Sequence, residues 1–69
     1  MRYMAAYFDT NGVGRLVGDP NDFAEEVDAK ARIKAIEDDQ TKEHKVDYRV
    51  VPYNPGYKAA TMAYHKIAT

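Results

Sequence analysis

The chain contains no cysteine. That removes disulfide staples, a thiol nucleophile and any Cys-based zinc site, and it points to a reducing, cytoplasmic setting. Serine is missing as well, so a serine nucleophile is excluded, and none of Thr10, Thr41, Thr61 and Thr69 has an evident base beside it. Long hydrophobic runs are also absent. The apolar stretch after Met1 meets Asp9 before it reaches the length of a signal-peptide core, and nothing approaches the roughly 20 apolar residues of a membrane span. A soluble protein with no membrane contact is expected.

What is present fits a small folded domain. Sixty-nine residues make one domain, 1–69, and chains of this size bury only about 60% of the surface that their unfolded form exposes. A core this thin leaves stability marginal or borrowed from a partner, and gives little room for a water-excluding catalytic pocket. The composition, 45% hydrophobic and 30% charged with six tyrosines, is too apolar and too aromatic for a disordered chain.

Along the chain, RYMAAYFDT alternates as a strand does, with Met4, Ala6 and Phe8 on one side and Tyr3, Ala5 and Tyr7 on the other. Asn11-Gly12 follows, a pair that tolerates the two positive φ angles of a type I′ turn, so VGRLVG is expected to return as a second strand. Asp19-Pro20 has the form of an N-cap with proline at the first helical position, which predicts a long helix over 21–44, fraying after Asp39. KVDYRVVPY alternates as a third strand that Pro52 ends or confines to an edge. Asn54-Pro55 repeats the cap-plus-proline device and predicts a short second helix through Ile67. The expected fold is α+β of order ββαβα: a three-stranded antiparallel sheet of order 2-1-3, with one long and one short helix on one face.

The long helix carries two apolar stripes at 100° per residue. Phe23, Ala24, Val27, Ala31 and Ala35 form one; Ala29, Ile33 and Ile36 form the other. The first is assigned to the sheet. The second then needs cover, either from a bend that brings both into one core or from a second copy, and a homodimer through Ala29, Ile33 and Ile36 is the expectation adopted.

Charge is unevenly divided. Residues 19–45 hold nine acids and five bases, net −4, and the remainder holds two acids and five bases, net +3. The acidic segment reads as a solvated helix face with i,i+4 pairs Glu26–Lys30 and Asp28–Arg32 rather than as a phosphate mimic. From Tyr48 onward there is no acid, but there are four tyrosines with Arg49, Lys58, His65 and Lys66. Arg49, Tyr53, Gly56, Tyr57 and Lys58 therefore form a candidate anion or nucleotide site: a helix start with free N–H groups, a glycine for close approach, a point charge and rings to stack a base. The competing reading makes Tyr57, Ala60, Tyr64 and Ile67 one core-facing stripe.

Other patterns are weaker. The Gly-x-Gly of NGVGR lacks the strand–loop–helix setting of a dinucleotide fingerprint. His44 and His65 lie far apart, so neither a metal nor another cofactor is expected. The functional expectation is a non-enzymatic protein-binding module, a stoichiometric regulator or inhibitor of the kind that phages and mobile elements encode. Its partner's identity is not written in the residues. The alternative is a nucleotide or nucleic-acid binder that uses the basic, tyrosine-rich C-terminal segment.

Overall fold

A computed structural model of the protein describes residues 1–39 and 46–68. The expected continuation of the long helix over 40–44, and with it His44, lies outside those residues. Strand β1 (Arg2–Phe8) organises the rest. Its alternating side chains serve two cores. Met4, Ala6 and Phe8 enter one apolar cluster, and Ala5 with Tyr7 enters another on the opposite face.

The chain reverses at Asp9–Gly12, where the Gly12 N–H donates to the Asp9 carbonyl at 3.1 Å. Only Gly12 adopts positive φ, +80°, so the turn is not type I′. The Asp9 carboxylate takes the N–H groups of Asn11 (2.8 Å) and Val13 (3.1 Å), which ties the loop to its own first residue. Strand β2 (Gly14–Leu16) then pairs antiparallel with β1, Gly14 opposite Phe8. Gly14 is buried there, and a Cβ on it would lie 2.5 Å from the Phe8 ring.

The Asp19-Pro20 motif does not start a helix. The Val17 N–H donates to the Ala5 carbonyl (3.1 Å) and the Ala5 N–H to the Asn21 carbonyl (2.9 Å), so the chain stays on the same edge of β1. The Asp19–Pro20 peptide is cis, and Asp22–Phe23 forms a short strand β3, with Asp22 opposite Met4 and Phe23 opposite Tyr3. Helix α1 (Glu26–Asp39) begins only afterwards, with Glu26 and Asp28 in its first turn, where acids suit the macrodipole.

Strand β4 (Asp47–Tyr53) pairs antiparallel with the whole of β1 on its other edge, and β1 is its only partner among the described residues. That edge position accommodates Pro52, which has no N–H to give a further strand. Asn54 caps the next segment as its sequence implies: its side-chain oxygen accepts the Gly56 N–H at 3.2 Å, and Pro55–Tyr57 form one turn of 3₁₀ helix. Helix α2 (Lys58–Tyr64) follows. It stops short of Ile67 because Lys66, at φ +59°, turns the chain into strand β5 (Ile67–Ala68). Strand β5 runs parallel to β2, and the Gly14 N–H donates to the Lys66 carbonyl at 2.8 Å.

The described residues thus form a small α+β fold with two helices, and their sheet has five strands rather than three. The helices cover opposite faces, not one. On the α1 side Ala5, Val17 and Ile33 form the centre, with Tyr7, Phe23, Ile36, Tyr48 and Val50 around them. On the α2 side lie Met4, Ala6, Phe8, Leu16, Val51, Tyr53, Met62 and Ile67.

This packing reverses the two stripes of α1. Ala29 has no exposed surface, Ile33 is buried and Ile36 is half-buried in the subunit's own core. Ala29 and Ile33 are covered by their own sheet and Ile36 is partly so, and this packing lends no support to the expected dimer interface of Ala29, Ile33 and Ile36. The other stripe faces water instead: Ala24, Ala31 and Ala35 are exposed and Val27 is 69% exposed. Phe23 belongs to β3 and packs on the α1 side of the sheet.

Candidate functional site

Of the five residues nominated for an anion, four are neighbours around the start of α2 and one is not. Arg49 and Tyr53 share a face of β4 but stand four residues apart, roughly 13 Å along a strand. Arg49 is engaged where it is. Its Nε donates to Asp47 Oδ2 at 2.8 Å, its Nη2 lies in an ion pair 2.6 Å from the same oxygen, and its guanidinium stacks 4.7 Å from the centre of the Phe8 ring.

At the other end of β4, the strand pairing brings Asp22 of β3 beneath the start of α2. The Asp22 carboxylate accepts from Arg2 Nε at 2.8 Å, from Lys58 Nζ at 2.9 Å and from the Tyr53 hydroxyl. Burial by itself would raise the Asp22 carboxyl, but the hydrogen bonds from Tyr53, Lys58 and Arg2 outweigh it and bring the pKa down to about 2. Burial, then the bond to Asp22, pushes the Tyr53 phenol up; the same carboxylate holds the Lys58 ammonium above its ordinary value. A carboxylate with three donors and so low a pKa stays ionised and gives a poor general base near neutral pH. What it does is mechanical: it ties β1, β3, the end of β4 and the start of α2 to one point.

The consequence for the nominated site is direct. Tyr53 is buried and Lys58 is half-buried against the chain's own carboxylate, while Gly56 and Tyr57 are exposed. Sequence reasoning missed Asp22, and no spacing rule could have found it. It stands 20 residues from Arg2 and 36 from Lys58, and only the β1–β3 pairing makes them neighbours.

The tyrosines of the C-terminal segment divide by face. Met62 and Ile67 point into the core, whereas Tyr57 is 65% and Tyr64 83% exposed. The competing reading therefore holds for Ile67 and fails for the two tyrosines. With the exposed Ala60 and Ala63, these rings make an aromatic surface on the outer side of α2. His65 stands edge-on to the Tyr64 ring at 5.1 Å, and the exposed Lys66 follows it. Among the described residues no three His, Asp or Glu side chains are placed to hold a metal ion, and no helix is long and apolar enough to cross a membrane.

No protein-family model, no curated protein and no solved structure matches this chain.

Proposed function

We propose that this chain is a non-enzymatic protein-binding module, a stoichiometric regulator or inhibitor in class, working in the cytoplasm through the tyrosine face of the 3₁₀ turn and α2. The observation that carries the reading is the pair Tyr57 and Tyr64, exposed on the 3₁₀ turn and on the short helix after it, whose opposite side is anchored by Met62 and whose start is tied down by Lys58 and Asp22. Tyrosine is enriched at protein interfaces because a rigid ring buries much area at little entropic cost, and its hydroxyl still finds a hydrogen bond. No acid occurs from Tyr48 onward, and Lys66 borders the surface, so the matching partner presents an apolar patch rimmed by carboxylates. A second copy meets this requirement poorly, since a two-fold pairing of these faces sets like charge against like charge.

The nucleotide reading draws less support. Arg49 and Lys58 each hold one of the chain's own carboxylates, and phosphate would have to displace them. The test is to capture the partner from extract, purify it, and measure Kd for the wild type and for Tyr64→Ser at two salt concentrations. Tyr64→Ser is expected to weaken binding by roughly tenfold or more, as for an interfacial aromatic anchor, while leaving the melting temperature in place. Unchanged affinity in Tyr64→Ser defeats the proposal. Binding of oligonucleotides that weakens steeply with salt and depends on Arg49 and Lys58 transfers the function to the nucleic-acid class.

A further inference from the structure

A pocket of about 390 Å³ opens on the α1 side of the sheet, a volume within the usual range for small-molecule sites, roughly 300–1,000 Å³. Its walls are two tyrosines, Tyr7 and Tyr48, three aliphatic side chains, Val17, Ile36 and Val46, and one cation, Arg32. The tyrosine rings stand 6.3 Å apart and inclined at 54°, and their cross-strand pairing fixes that spacing.

Arg32 is the unusual member. The helix spacing invites an ion pair with Asp28 one turn earlier, just as Lys30 pairs with Glu26 at 3.2 Å and Lys34 with Asp38 at 3.9 Å. Arg32 forms no such pair among the described residues. Its guanidinium turns instead to the bend after β2, with Nε donating to the Pro20 carbonyl (3.1 Å) and Nη2 to those of Gly18 (3.0 Å) and Asp19 (3.2 Å). Three neutral acceptors fix its orientation without cancelling its charge, and both N–H groups of Nη1 are left without an acceptor among the described residues. A half-buried, oriented guanidinium that has no carboxylate partner among the described residues, beside two aromatic rings, has the form of a carboxylate receptor.

We propose that this pocket binds a small organic carboxylate with a flat apolar body, its carboxylate on Arg32 and its body against Tyr7 and Tyr48. One guanidinium suits a monoanion, whereas a phosphate dianion calls for several donors that the aliphatic walls do not supply. The site lies across the sheet from the tyrosine face of α2 and is independent of the partner proposed there.

Benzoate and its neutral isostere benzamide are suitable probes, followed by NMR on the intact chain. Benzoate is expected to shift the Tyr7 and Tyr48 ring signals and the Arg32 Nε–H saturably, and benzamide to bind roughly tenfold or more weakly, the loss expected when a charged hydrogen bond is removed. Arg32→Gln should bring benzoate down to the benzamide level. Because the two probes are compared on the wild type, the test stands even if Arg32→Gln fails to fold. Equal binding of both probes, absence of a saturable shift with benzoate, or shifts confined to Tyr57 and Tyr64 would each overturn the assignment.

Discussion

Helices α1 and α2 both leave apolar atoms in water, but of different kinds. The outward side of α1 carries Val27, Ala31 and Ala35 beside the Glu26–Lys30 and Lys34–Asp38 pairs. These are small groups set among charges, and each adds little area to a contact. The 3₁₀ turn and the outward side of α2 carry Tyr57 and Tyr64, rings that can each bury about 150–250 Å². The longer helix spends its bulky side chains on the sheet, while the shorter one fastens with Met62 and holds its largest rings outward. A surface with something left to bind is therefore found by the size of the exposed groups rather than by the length of the amphipathic pattern.

The contrast breaks most sharply at Ile33. If its side chain belongs to the α1-side core, Ile33→Asp buries an unpaired charge and costs several kcal/mol, more than the roughly 3–5 kcal/mol a domain of this size has to lose. The helical circular-dichroism signal should vanish at room temperature. Val27→Asp, on the outward side of the same helix, should stay within about 0.5 kcal/mol of wild type. A folded Ile33→Asp with a changed mass in solution would restore the partner-facing assignment of that stripe.

The reversal of the stripes has a plain physical cause. Five residues against three favours the Phe23–Ala35 set by count, but three of those five are alanines. Burying an isoleucine stabilises by about 1.5–3 kcal/mol, and an alanine methyl by well under that. Judged by area, Ile33 and Ile36 belong on the sheet. The local signals with a backbone mechanism survived: the reversal near Asn11-Gly12, the Asn54-Pro55 cap, and the alternation of β1 and β4. Strands β3 and β5 were illegible because two residues carry no period, and each exists only as a partner for a strand remote in sequence. The same holds for the site. Tyr53, Gly56, Tyr57 and Lys58 were readable as a group because the chain itself keeps them close, whereas Asp22 arrives through the sheet.

The α2-side core is sharpened by a smaller lesion at Gly14. A methyl there meets the Phe8 ring, which is itself held under the Arg49 guanidinium, so Gly14→Ala should cost about 1–3 kcal/mol through overpacking. The melting temperature should fall by roughly 4–8 °C for each kcal/mol. Adding Phe8→Leu should recover part of that loss if the clash is its origin, because contacting residues are not additive. A double variant that simply sums the two single losses would place the cost of Gly14→Ala in the backbone instead.

The smallest effect separates the tie at the start of α2 from the rest of the acidic groups, and it is read by pH. The Asp22 pKa is about 2 in the folded protein and 3.8 in the unfolded reference. A depressed carboxyl pKa means that the unfolded chain binds the proton first as pH falls. The stabilisation from Asp22 is therefore complete above pH 3.8 and lost as pH falls from 3.8 through 2. Solvent screening at this partly exposed carboxylate keeps the contribution to about 1–2 kcal/mol. Asp22→Asn keeps the shape and an acceptor oxygen but cannot titrate, so its melting temperature should vary less with pH across that window than the wild type does. Lys58 gives the opposite limb: its raised pKa contributes stability below its unfolded value of 10.5 that is lost as pH climbs through the folded one. Parallel acid limbs for wild type and Asp22→Asn would mean that the carboxylate does not hold α2 to the sheet, and the rigidity on which the outward tyrosines depend would have to come from Met62 and Ile67 alone.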